Sequence, residues 1–208
     1  MAKVLSNRQG QLTRRIVACY RRASADAHAY GDEWYSAAFT FSTGLSERYG
    51  ITVRQAVGVV AALSPSCAWD RNMLLADELL RTGDCSHMYG DAIRKARRIA
   101  AGEDPLDVLG GDKVRSFFHN ILEWQTSEHV TVDRHAFDIA MGRETSDRER
   151  KVLETGGRRV ADVCGEHTTG SYQLLADAYR SAARILGVRP HQVQAVTWCQ
   201  WRAEKGLT

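Results

Sequence analysis

The chain is poor in the residues that break or cross-link a fold. Only three of its 208 residues are proline (Pro65, Pro105, Pro190), and no run alternates apolar and polar residues, so a strand-rich fold is not expected. The five cysteines, Cys19, Cys67, Cys85, Cys164 and Cys199, are scattered, odd in number and include no CxxC pair. That excludes a disulfide framework and suits reduced thiols in a reducing cytoplasm. No stretch approaches the roughly 18 apolar residues of a membrane span, and the opening MAKVLSNRQGQL lacks the apolar core of an export signal. The expectation is a cytoplasmic protein with no membrane partner. Excess charge is also missing: the net is +3, far from a histone-like balance, so local clusters matter more than the total.

What is present is helical periodicity. Segments beginning near Gln9, Asp32, Thr52, Cys67, Met88, Asp112, Val130, Ser146, Ser171 and Arg189 each predict a helix, separated by Gly or by Ser/Thr/Asp caps, with Thr52 and Ser171 resembling N-caps. The fold class is all-α. With no internal repeat and no low-complexity linker, residues 1–208 read as a single domain, and any two-lobed shape must come from helices packing into two bundles. Cations cluster at Arg14-Arg15, Arg21-Arg22, Arg94 to Arg98, and Lys113 with Arg115. Each cluster has a plain reading as the solvated face of an amphipathic helix, and the last is set apart by its glycines.

Three segments carry chemistry. In Gly110-Gly111-Asp112-Lys113-Val114-Arg115, paired glycines let backbone amides approach a phosphate, the following helix N-terminus adds partial positive charge, and Lys113 and Arg115 strengthen the same anion site. The plain alternative is a glycine C-cap closing a helix around Leu106 to Leu109. In Val130-Thr-Val-Asp133-Arg134-His135, a carboxylate follows β-branched residues at a helix start. Asp133 reads either as a simple N-cap or as a catalytic acid kept ionised by the helix dipole, suited to stabilising a cationic sugar or deprotonating a nucleophile. In VGVVAALSPSCAWDRNMLLA (57–76), a Ser-Pro break separates two helices, and Ser64, Ser66 and Asn72 are placed to line a cleft. Trp69 reads as core packing or as a base-stacking surface.

In order and content, these segments resemble the helix-hairpin-helix DNA glycosylase superfamily of the endonuclease III and adenine glycosylase type. The likeness spans roughly residues 52–142. AALSPSCAWDRN stands for the family's Leu-Ser-x-Gln turn and Asn-containing helix, and Gly90-Asp-Ala-Ile-Arg-Lys95-Ala96 for its Gly-x-x-x-x-Lys-Ala helix. Gly111 falls on the first hairpin glycine and Asp133 on the aspartate of Val-Asp-x-His. There are departures: Lys113 replaces the second hairpin glycine, no proline precedes the turn, and Arg115 stands where bifunctional members carry a Schiff-base lysine. Lys113 serves as that nucleophile only if the helix shifts by about half a turn. The iron–sulfur cysteine loop is missing, since only Cys199 follows Cys164, so neither a cluster nor any metal or other cofactor is expected.

The resemblance implies two helical lobes around a cleft and DNA as the partner. Gly110, Gly111, Lys113 and Arg115 would grip the backbone. Ser64, Ser66, Trp69 and Asn72 would line the base pocket, and the catalytic candidates are Asp133 and Lys113. The implied activity is cleavage of the N-glycosidic bond of a flipped damaged or modified base. The sequence is also similar to small bacteriophage-encoded proteins of glycosylase-like fold associated with hypermodified pyrimidines, which implies the alternative of a transferase on a base that stays attached. A third reading is a non-catalytic DNA-binding or partner-binding protein on the same scaffold. His135 reads as structural, Trp198 and Trp201 as packing the last helix, and Cys164 with His167 as too few ligands for zinc. His28, Tyr30, Asp32 and Glu33 form a polar cluster explained by a helix cap at Asp32.

Overall fold

Periodicity without strand alternation becomes ten helices, and no strand, among the described residues, 2–146 and 171–207 of the computed structural model. In chain order they are α1 (Ala2–Arg21), α2 (Ala25–Tyr49), α3 (Val53–Leu63), α4 (Trp69–Thr82), α5 (Gly90–Ala100), α6 (Pro105–Val108), α7 (Asp112–Leu122), α8 (Arg134–Met141), α9 (Ser171–Leu186) and α10 (Pro190–Glu204). The expectation of an all-α chain holds. Two helices start earlier than expected. α1 begins at Ala2 and runs through Gly10, and α2 begins at Ala25, where Ser24 Oγ accepts the Ala27 N–H at 3.1 Å. Ser24 therefore opens α2, and Asp32 is an exposed mid-helix residue instead of a cap. The one-turn α6 matches the short helix of the plain reading around Leu106 to Leu109; Asp104 caps it through the Leu106 N–H and Pro105 starts it. The helix expected from Ser146, like Cys164 and His167, lies outside the described residues apart from Ser146 itself.

Chain contacts divide the protein into two compact units, Met1–Trp34 with Thr126–Thr208, and Tyr35–Gln125. In the first unit α1 packs on α8, α9 and α10. Its core contains Ile16, Val130, Phe137, Tyr179 and Val193, with Trp201 packed in as expected of the last helix. Gly31 lets α2 approach α10 closely, since a Cβ there would lie 2.6 Å from Val196 Cα. Tyr172 Oη donates to the Val130 carbonyl at 2.6 Å and accepts the Val132 N–H at 3.2 Å, so α9 fixes the extended segment that leads into α8.

In the second unit α3 is the central helix, packing on α4, α5, α6 and α7. Thr52 starts it as the expected N-cap, and Gln55 completes a capping box that was not expected. Val57, Val59, Val60 and Leu63 are fully buried, each worth about 1.5–3 kcal/mol relative to exposure. Gly58 permits the packing, because a Cβ there would meet Pro105 Cγ at 2.7 Å and Ile99 Cγ2 at 2.9 Å. Arg54 links α3 to the α6 cap through two 2.9 Å bonds to Asp104 and lies over the Phe118 ring at 5.2 Å.

Candidate functional site

The candidate residues fall in both units, Asp133 and His135 in the first and the remainder in the second. In the second unit, Gly111 is the N-cap of α7 with φ 77° and ψ 142°, a backbone conformation open to glycine, and it brings no side chain to the helix end. The glycine does not close α6, whose C-cap is Leu109. The first intrahelical bond runs from Arg115 N to Gly111 O at 3.2 Å. The N–H groups of Asp112, Lys113 and Val114 therefore have no carbonyl of their own helix to meet. Lys113 has no hydrogen-bonded or ion-paired partner among the described residues. Arg115 is committed elsewhere: Nε donates to the Leu109 carbonyl and Nη2 to the Leu106 carbonyl, both at 2.8 Å. It ties down the turn that presents the glycines.

A pocket of about 240 Å³ opens beside this turn, lined by Pro65, Tyr89, Lys95, Leu109, Gly110 and Val114 among others. Of the four residues expected to form a base pocket, none lines it. Ser64 is the C-cap of α3, and its hydroxyl donates to Ala61 O at 2.9 Å. Ser66 has φ 53°, the one non-glycine with positive φ among the described residues, and Tyr89 Oη donates to its Oγ at 3.5 Å. Trp69 packs edge-on against Phe41 at 6.0 Å, the packing role. Asn72 is 1% exposed; its Nδ2 donates to Val60 O at 3.2 Å and its Oδ1 has no partner among the described residues. Arg94 and Lys95 both pair with Asp91, Arg97 with Asp84 and Arg98 with Glu103, so the α5 cations form an ion-paired, solvated face.

In the first unit Asp133 is the N-cap of α8: its Oδ1 accepts the Ala136 N–H at 2.8 Å. Its Oδ2 accepts the indole N–H of Trp198 on α10 at 3.1 Å. Arg202 lies 4.5 Å over that indole, and His135 meets it edge-on at 6.1 Å and 79°. His135 is 7% exposed, and burial lowers its pKa below the ordinary 6.5, with Asp133 opposing the shift. The ring is therefore neutral near pH 7. Arg134 Nε donates to its Nε2 at 3.4 Å, which places the ring proton on Nδ1, a buried nitrogen with no partner among the described residues. Asp138, the other acid of α8, is buried and accepts from the Thr145 N–H and hydroxyl, closing the loop after the helix.

A family model matches residues 1–205 of this chain. The chain belongs to the family of unknown function DUF7178. No curated protein and no solved structure matches it, so the geometry of this DUF7178 member has to carry the functional argument.

Two features of the DUF7178 chain were not visible in the sequence. Trp198 has a polar task at Asp133 in addition to packing, and no local pattern announces a bond that spans 65 positions. His87, 9% exposed, meets Leu63 O through Nε2 at 3.1 Å and accepts the Tyr89 N–H at Nδ1 at 2.9 Å, fixing the entry to α5 against the end of α3. Burial pushes the Cys19 and Cys199 thiols up to about 11 and raises those of Cys67 and Cys85, so the four described cysteines are protonated, poor nucleophiles at neutral pH. No cluster of three His, Cys, Asp or Glu side chains among the described residues suits a metal ion, and no described helix is long and apolar enough to cross a membrane.

Proposed function

We propose that this DUF7178 protein binds DNA and cleaves the N-glycosidic bond of an extruded damaged or modified base, on a scaffold of the helix-hairpin-helix glycosylase kind. The observation that carries the reading is Asp133, a partly exposed carboxylate held at both oxygens, by the α8 N-terminus and by the Trp198 indole. In the proposed reaction the C1′–N bond breaks and its electron pair leaves with the base. The oxocarbenium-like sugar is stabilised by the carboxylate, and water then adds to C1′ and gives up a proton that ends on the departed base. Arg115 is held by two backbone carbonyls, which supports attack by water instead of an amine at that position.

DNA docking is supported by the α7 N-terminus. Its uncapped amides and Lys113 offer donors to backbone phosphates, with Asp112 the one acid of the first turn. Extruding a nucleotide costs a few kcal/mol and is cheapest at a mispaired or damaged base.

The test is incubation of the protein with duplexes carrying single damaged or modified bases, followed by mass spectrometry of the free-base fraction and of the intact nucleosides. Free base together with abasic sites is the expected result. A mass increase on an attached nucleoside in the presence of candidate amine or hydroxyl donors would replace excision with base modification. Binding with neither signal would leave a non-catalytic DNA-binding protein.

A further inference from the structure

Trp198 stands 65 positions from Asp133 in the chain, yet its indole N–H meets Oδ2 at 3.1 Å while the α8 amide of Ala136 takes Oδ1 at 2.8 Å. The carboxylate is thus fixed at two atoms from two directions, and rotation about its side-chain bonds breaks at least one of the two bonds. The indole is itself constrained. The Arg202 guanidinium stacks 4.5 Å over one face, and the buried His135 ring abuts it edge-on at 6.1 Å. A cation over an indole withdraws electron density from the ring and makes its N–H a stronger donor. Packing alone does not require the N–H contact: Trp201, three residues on, fills the core at 7% exposure with Lys205 5.1 Å over its ring, and no carboxylate accepts its indole N–H among the described residues.

We infer that Trp198 is a positioning residue for Asp133, holding the carboxylate in the single orientation in which it faces the sugar cation. This rests on the excision reading above. The indole contributes orientation and charge stabilisation while DNA contacts lie elsewhere, so its loss acts on the chemical step and not on binding. A hydrogen bond to a charged group is worth enough that its removal slows the step by about 10- to 100-fold.

The experiment measures single-turnover base release, DNA affinity and thermal melting for Trp198→Phe and for a protein with benzothienylalanine at position 198, which keeps the bicyclic shape and lacks the N–H. The ¹H–¹⁵N indole resonance of Trp198, identified among five tryptophans as the one lost in Trp198→Phe, reports the contact directly. The expected result is a 10- to 100-fold slower release in both proteins with DNA affinity and melting close to wild type, wild-type release with 5-fluorotryptophan, which retains the N–H, and an indole shift in Asp133→Ala. Wild-type release from the benzothienylalanine protein overturns the inference, as does a loss that appears only at temperatures where the variants melt. Absence of base release from the wild-type protein overturns the excision reading and takes the inference with it; active variants beside an active wild type overturn the inference alone.

Discussion

The N-termini of α7 and α8 are finished in opposite ways. α8 receives a carboxylate from its own chain: Asp133 caps it, and the side chain is then held in place by Trp198. α7 receives no side-chain cap, because Gly111 has none to give, and its first turn holds Asp112 beside Lys113, whose side chain is without a partner among the described residues. Both ends have the same partial positive charge. In α8 that charge is already answered, and what faces outward is a fixed anion. In α7 it remains open to an anion from outside. One kind of local structure thus ends in a held carboxylate in one unit and in uncapped amides in the other, according to the side chain at the cap.

The largest expected effect comes from removing the answered charge. Asp133→Ala should abolish base release by on the order of a thousandfold, and melting should show a loss of about 1 kcal/mol for the missing cap. Asp133→Asn keeps an acceptor for Ala136 but not for the Trp198 N–H, and should lose the activity with a smaller destabilisation than Asp133→Ala.

The converse change is Gly111→Asp, which puts a carboxylate at the α7 N-cap, next to the Asp112 already in the first turn. Titration with duplex DNA should show affinity weakened by about tenfold or more at low salt, because a fixed negative charge now competes at the amides. Gly111→Ala shares the backbone strain of φ 77°, about 1–3 kcal/mol, and should keep most of the affinity. If the two variants bind alike, the open helix end is not the phosphate site.

A smaller effect separates the two basic residues of the turn. Lys113→Ala should weaken binding to all sequences alike and flatten the slope of log K against log salt by about 0.9. Arg115→Ala should leave more of that slope and instead destabilise the protein by about 1 kcal/mol, since the guanidinium holds the Leu106 and Leu109 carbonyls.

The smallest expected effect is the pH response of His135. Its folded pKa lies below the ordinary 6.5 because burial disfavours the charged ring. The unfolded chain therefore binds the extra proton first, and stability is present above about pH 6.5 and lost as pH falls below it. Melting between pH 7.5 and 5 should show that decline, and His135→Leu should flatten it.

The contrast between caps also shows where reading the chain succeeds. The Thr52 cap of α3, the glycine turn before α7 and Asp133 before α8 were legible, because each is a pattern of a few neighbouring residues with a direct backbone consequence. Ser24 as the start of α2 was missed because Asp32, eight positions later, offered the same signal. Arg115 read as a DNA contact from its charge, but two carbonyls six and nine positions away in its own unit take its guanidinium. The base-pocket candidates were chosen by polarity around a Ser-Pro break, and packing distributed them: Asn72 went into the interior, Trp69 onto Phe41, and the two serines into the turn. Trp198 was beyond reach, since its bond to Asp133 depends on how α8 and α10 pack.

The most direct measurement of the central claim compares wild type and Asp133→Asn on one damaged duplex, each at DNA concentrations that saturate binding, with released base quantified by mass spectrometry. The account predicts equal DNA affinity for the two proteins, and free base from the wild type only. Equal release from both proteins, or no complex between the wild type and DNA, would contradict it.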